Sequence, residues 1–176
     1  MITEPSYELE FKSDLPKIIK VIGVGGGGGN AMLNMYQQGV HNVDFVACNT
    51  DQQALKQFPE EVIKIQLGAE LTKGLGAGTD WKVGKQAAIE SEKAITDILE
   101  DPTEMVFITA GMGGGTGTGA APEIARLAKA KNRLTIGVVT DPFRHEGYDK
   151  FEQATNGIAK LKEYCDAVLV IKNDRL

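Results

Sequence analysis

The chain has 176 residues, 42% of them hydrophobic and 24% charged, enough for one globular domain with a sizeable core. A formal charge of −5, no basic stripe and only 6% aromatic residues argue against nucleic-acid binding, whether electrostatic or by base stacking. No apolar run reaches the roughly 18 residues a membrane helix needs, and the N-terminus, with Glu4, Glu8 and Glu10, has no apolar signal region.

Residues 1–16, polar and apolar by turns with two prolines, read as a flexible arm ahead of a domain spanning 17–176. Residues 18–24 are β-branched and strand-like, and run straight into Gly25, Gly26, Gly27, Gly28 and Gly29. A helix is expected over 30–38, stopped at Gly39. A strand at 43–48 leads to Asn49-Thr50-Asp51, a polar turn able to cap a short helix at 52–58. A short strand at 62–65 precedes a glycine-bearing loop at 68–79, and residues 81–99 keep helical apolar spacing. Strands at 104–110, 134–140 and 167–171 alternate with helices at 116–131 and 148–164, and a loop occupies 141–147.

Near-continuous apolar strands alternating with helices call for a parallel sheet covered on both faces. The expected fold is therefore α/β: a Rossmann-like, doubly wound, mostly parallel six-stranded sheet. Ligands of such sheets bind beyond the carboxyl ends of the strands, where both glycine clusters should converge.

The second cluster is the more specific. Residues 111–119 read Gly-Met-Gly-Gly-Gly-Thr-Gly-Thr-Gly, between a strand and a helix. Bare backbone amides and a helix N-terminus bearing about half a positive charge make an anion site, and Thr116 and Thr118 add hydroxyl donors. Two such units in one chain suggest one ligand with several phosphates. A single-lysine cradle is excluded, since G-x-x-x-x-G-K-[ST] is absent and Asn30 follows the first glycines. A dinucleotide-binding oxidoreductase domain is the alternative, because residues 23–28 satisfy G-x-G-x-x-G. It lacks the acid expected at the end of the second strand, where Cys48 and Asn49 stand, and leaves 111–119 unexplained. Cys48 and Cys165 read as buried free thiols of a reducing cytosol. His41 and His145 are lone loop residues, and the protein itself builds no metal site.

Residues 111–119 resemble the tubulin signature. With residues 25–30, 49–51, 72–78, Pro142-Phe143, Glu146-Gly147 and Asn173-Asp174, the order and spacing are similar to the bacterial tubulin homologues of the FtsZ family from about Lys17 onward. The resemblance implies binding of GTP or GDP with Mg2+ carried mainly by the nucleotide. It further implies head-to-tail self-assembly, attachment of tethering and division proteins through regions this chain lacks, and a cytoplasmic ring at the bacterial division site. Carried over by motif, Gly25, Gly26, Gly27, Gly28, Gly29 and Asn30 line the α- and β-phosphates. Gly113, Gly114, Gly115, Thr116, Gly117, Thr118 and Gly119 hold the phosphate chain, and Ala77 and Gly78 approach the γ-phosphate. Glu146 accepts from the ribose and Asn173 reads the guanine, while Asn49, Asp51, Pro142 and Lys150 complete the site. Lys150 stands where the family commonly has arginine, and Trp81 where it has proline. No catalytic residue is expected within the chain: the resemblance assigns water activation to an acidic loop of an adjacent subunit, so the isolated chain should bind nucleotide with little turnover and should cap a filament end or form no filament at all.

Overall fold

The computed structural model describes residues 16–173, so almost all of the expected arm, and Asp174, lie outside the described residues. The elements in chain order are β1 (Ile19–Val24), α1 (Gly25–Gln37), β2 (Val43–Asn49), α2 (Gln52–Lys56), β3 (Ile63–Gln66), α3 (Ala69–Thr72), α4 (Trp81–Glu90), α5 (Glu92–Ile98), β4 (Met105–Gly111), α6 (Gly115–Ala130), β5 (Leu134–Asp141), a 3-10 turn (Arg144–Glu146), α7 (Tyr148–Tyr164) and β6 (Ala167–Lys172). The six strands form one sheet in the order β3-β2-β1-β4-β5-β6. Every strand pair is parallel, so the expected sheet is present and wholly parallel.

Three local expectations are corrected. The first helix begins at Gly25, not at Asn30, so the five glycines form its first turns. Glycine has poor helix propensity, and close packing on the neighbouring strand fixes these turns instead. The helical stretch from 81 breaks at Ser91, whose backbone (φ −93°, ψ 15°) leaves the helical region. Its hydroxyl accepts from the Gly68 N–H at 2.9 Å and reaches the Gln66 carbonyl at 3.4 Å, so it bonds the end of β3. The loop at 68–79 contains the one-turn helix α3.

Both sheet faces carry helices. On one, α1 and α2 pack over Val21, Phe45 and Ala47 through Met32, Leu55 and Phe58. On the other, α4–α7 bury Ile22, Val46, Val106, Ile108 and Val139 beneath Leu99, Ile124 and Leu161. Strand alternation puts Phe107, Ile136, Val138 and Leu169 on the first face, where Phe107 packs against the α1 cluster and the others lie toward the β6 edge. There Leu169 is 58% exposed and the other three are half-buried.

The thiols separate by depth. Cys48 is buried, and burial pushes its pKa up to about 12; Cys165 is half-buried rather than buried, and burial with the neighbouring Asp166 raises it to about 11. Thiolate is the reactive form. At pH 7.5 an aromatic disulfide reagent should leave Cys48 of the native protein untouched and modify Cys165 slowly, with both reacting rapidly in urea. Fast native labelling at Cys48 would contradict this burial.

Candidate functional site

β1 and β4 are neighbours, but the chain leaves them toward opposite faces, into α1 and α6. That divergence opens the crevice in which doubly wound sheets bind ligands. Both glycine clusters sit there, as the first turns of two helices, with the positive ends of their dipoles at the crevice. The clusters touch: a Cβ on Gly25, where φ is +70°, would lie 3.1 Å from the Gly117 nitrogen, and one on Gly27 3.2 Å from the Gly111 Cα.

Most of these glycines answer to packing. A Cβ on Gly28 would lie 2.1 Å from the Thr109 carbonyl oxygen, one on Gly117 2.3 Å from that of Gly111, and one on Gly115 within 2.9 Å of three carbonyls in the 77–80 segment. Two of the expected phosphate donors are used internally: Gly113 N–H donates to Thr118 Oγ1 at 2.8 Å and Gly115 N–H to the Gly78 carbonyl at 3.0 Å. Gly26 and Gly114 differ. A Cβ on either meets no protein atom within 4 Å, and neither backbone has positive φ. Among the described residues, no backbone carbonyl accepts from the Gly114, Thr116 or Gly117 amide.

The other expected residues lie along the same strand ends. Asn49 and Thr50 are buried at the end of β2, where Thr50 Oγ1 and Thr116 Oγ1 stand 2.7 Å apart and tie β2 to the first turn of α6. Asn49 Oδ1 accepts from the Asp51 N–H. Asp51 caps α2, its Oδ1 accepting from Gln53 N at 2.8 Å and Ala54 N at 3.3 Å; Asp80 caps α4 through Lys82 N at 2.8 Å. Both of these acids thus cap helices. Ala77 is buried and Gly78 open, beside Gly115. Trp81 opens α4 with its side chain 40% exposed.

At the other flank, Glu146 Oε1 accepts from Phe143 N–H at 2.8 Å and its Oε2 from Lys150 Nζ at 3.1 Å. The Phe143 amide, then the Lys150 ammonium, hold this carboxyl below its ordinary pKa. Lys150 therefore pairs with the acid in the free protein. A Cβ on Gly113 would lie 3.2 Å from the Lys150 carbonyl oxygen and 3.4 Å from Pro142 Cγ, so that flank meets the 111–115 turn. A cavity of about 490 Å³ is lined there by Thr79, Gly113, Glu146, Lys150 and Gln153. Asn173 directly follows β6, three strand spacings from β1, roughly 14 Å away along the same edge.

Gln153 was missed by the sequence reading. Its Nε2 donates to the Thr79 carbonyl at 2.9 Å and to the Gly113 carbonyl at 3.1 Å. The available signal was its place one helical turn after Lys150. Among the described residues no three His, Cys, Asp or Glu side chains are placed to hold a metal ion, and no helix is long and apolar enough to cross a membrane.

Known proteins share this arrangement. Residues 18–176, which include both glycine turns, match the model of the Tubulin/FtsZ family, GTPase domain. The chain is 54% identical over 167 residues to the cell division protein FtsZ of Porphyromonas gingivalis, covering 93% of this chain and 36% of that protein. It superposes on the empty FtsZ dimer structure of M. jannaschii with a TM-score of 0.87 at 41% identity, covering 95% of this chain and 48% of that one. It superposes on CetZ2 of Haloferax volcanii, described as a GTPγS-bound protofilament, with a TM-score of 0.79 at 28% identity, covering 89% and 49%. The chain thus spans about a third to a half of the length of these relatives. Nothing in these matches supports the dinucleotide oxidoreductase alternative. With the family match running through every strand and both glycine turns, the chain belongs to the tubulin/FtsZ family and carries its GTPase domain.

Proposed function

We propose that this domain binds GTP or GDP across the carboxyl edge of its sheet, as the nucleotide-holding part of a self-assembling, cytoplasmic cell-division GTPase. The observation that carries this reading is the pair Gly26 and Gly114. Their backbones suit any residue and their Cβ positions meet no protein atom, so neither packing nor conformation calls for glycine there. A phosphate chain lying against the first turns of α1 and α6 does, because a side chain would occupy its place.

In this reading the phosphates lie between the two turns, with Ala77 and Gly78 at the terminal one. Glu146, held ionised by Phe143 and Lys150, accepts from the ribose hydroxyls, and Asn173, three strands away, pairs with the guanine edge. Magnesium is carried mainly by phosphate oxygens. Asp51 and Asp80 serve as helix caps, so the acid that activates the attacking water is assigned to an adjacent subunit. The names of the relatives, a cell division protein, a dimer and a GTPγS-bound protofilament, support the assembly and division roles.

Calorimetric titration of the purified chain with GTP, ATP and NADH, each with magnesium, tests the reading. GTP-selective binding is the expected result. Binding of NADH alone would restore the dinucleotide alternative, and binding of none of the three would overturn the site.

A further inference from the structure

Two segments proposed to face phosphate are joined by a side chain that the sequence did not single out. The segment 76–80 and the turn 111–115 come from different parts of the chain, before α4 and after β4. One backbone bond joins them, from the Gly115 N–H to the Gly78 carbonyl. The second link is a side chain from a third element. Gln153, half-buried on α7, donates to the Thr79 carbonyl at 2.9 Å and to the Gly113 carbonyl at 3.1 Å. An amide nitrogen has two hydrogens, so both donors of Gln153 are engaged at once, one on each segment.

Both acceptors sit at sensitive points. Thr79 is flanked by Gly78 and by Asp80, the α4 cap. Gly113 has φ +97° and gives its own N–H to Thr118, so its carbonyl direction is set by a conformation few residues adopt. Lys150, one turn before Gln153 on α7, contacts Glu146. The helix that carries the expected ribose acceptor's partner therefore also fixes the spacing between the two phosphate-facing segments.

We infer that Gln153 is a positioning residue: its amide staples segment 76–80 to turn 111–115 and presets the receptor for the terminal phosphate. This rests on the GTP reading above and adds to it a residue that acts through the two segments it joins. Without the staple, segment 76–80 must be ordered by the ligand when it binds, and only a nucleotide with a terminal phosphate at Gly78 meets that cost.

Gln153→Met keeps length and helix propensity and removes both donors; Gln153→Leu is the second variant. GTP affinity should fall about ten-fold in each, the size expected for one or two lost hydrogen bonds, while GDP affinity stays within two-fold. Equal losses for GTP and GDP, or no loss for either, overturn the staple. Hydrogen exchange of the nucleotide-free protein tests it without any ligand. Amides of residues 77–82 should exchange faster in Gln153→Met than in the parent, and those in the middle of α6 should not; unchanged exchange at 77–82 overturns the inference even if GTP binds. A parent chain that binds no guanine nucleotide overturns the GTP reading and the discrimination claim together, and leaves the exchange result to decide the staple alone.

Discussion

Gly114→Asp abolishes guanine-nucleotide binding while leaving the domain as stable as the parent or more so. Gly114 is the N-cap of α6, with φ −89° and ψ 164°, an extended conformation that aspartate adopts freely. Its Cβ would meet no protein atom within 4 Å, so no neighbour moves. Aspartate is among the best N-caps, and relative to glycine it gains a few tenths of a kcal/mol. Helix stability alone therefore predicts a neutral or beneficial change. The same side chain places a negative charge and its bulk at the proposed phosphate position, where like charges repel in a partly desolvated crevice. GTP affinity should fall by at least about 100-fold, close to 2.7 kcal/mol, with the urea midpoint equal to or above that of the parent. Calorimetry and urea unfolding on the same preparation read both quantities. Retained GTP binding in a stable Gly114→Asp protein would place the phosphates elsewhere.

The opposite pattern is expected at Gly84. It lies inside α4 at an ordinary helical φ, where replacing glycine by alanine usually stabilises by up to about 1 kcal/mol. Here the added Cβ would stand 2.2 Å from the Gly115 carbonyl oxygen and 3.0 Å from the Thr116 Cα. Those atoms are backbone of the first turn of α6, and no rotamer change relieves the clash. Gly119 faces α4 in the same way, its Cβ position 2.0 Å from the Trp81 carbonyl oxygen, so the two helices cross nearly in backbone contact. Overpacking of this kind costs about 1–3 kcal/mol, and the rigidity of both partners puts Gly84→Ala at the upper end. Its midpoint temperature should drop by about 5–10 °C, at roughly 2–4 °C per kcal/mol for a domain of this size. Because the displaced turn carries the Thr116 and Gly117 amides, nucleotide binding should weaken with it. Unchanged stability in Gly84→Ala would mean that α4 and α6 separate without cost.

These two glycines mark the boundary between what was legible in the sequence and what was not. Strand–glycine–helix units are local patterns, and local patterns are what a sequence displays. The β-branched run before Gly25, the apolar run before Gly111 and the alternation of strands with helices sufficed for the parallel sheet, and the order of the motifs sufficed for the resemblance. The structure has that sheet, and the family match spans it. Gly26 and Gly115, however, look alike in sequence. One faces open space and the other three backbone carbonyls. Which is which depends on where the 77–80 segment and α4 lie, and these are separated from Gly115 by a strand and a helix along the chain.

The same reason accounts for the other misses. A cap such as Asp51 acts two residues away, so its alternative role was visible from spacing alone. The break at Ser91 depends on a hydroxyl bonding Gly68 and Gln66, more than 20 residues back, and helical apolar periodicity carries no trace of it. The staple at Gln153 joins carbonyls 74 and 40 residues distant, in main-chain groups that every residue possesses. The fold class, the two strand–glycine–helix turns and the family were legible in the sequence, because periodicity and glycine placement are short-range properties. Which glycines serve packing and which face open space, which amides lack a carbonyl partner, and which side chain joins segments 76–80 and 111–115 depend instead on the tertiary structure. Each of those is settled by the close approach of backbone segments remote in the chain.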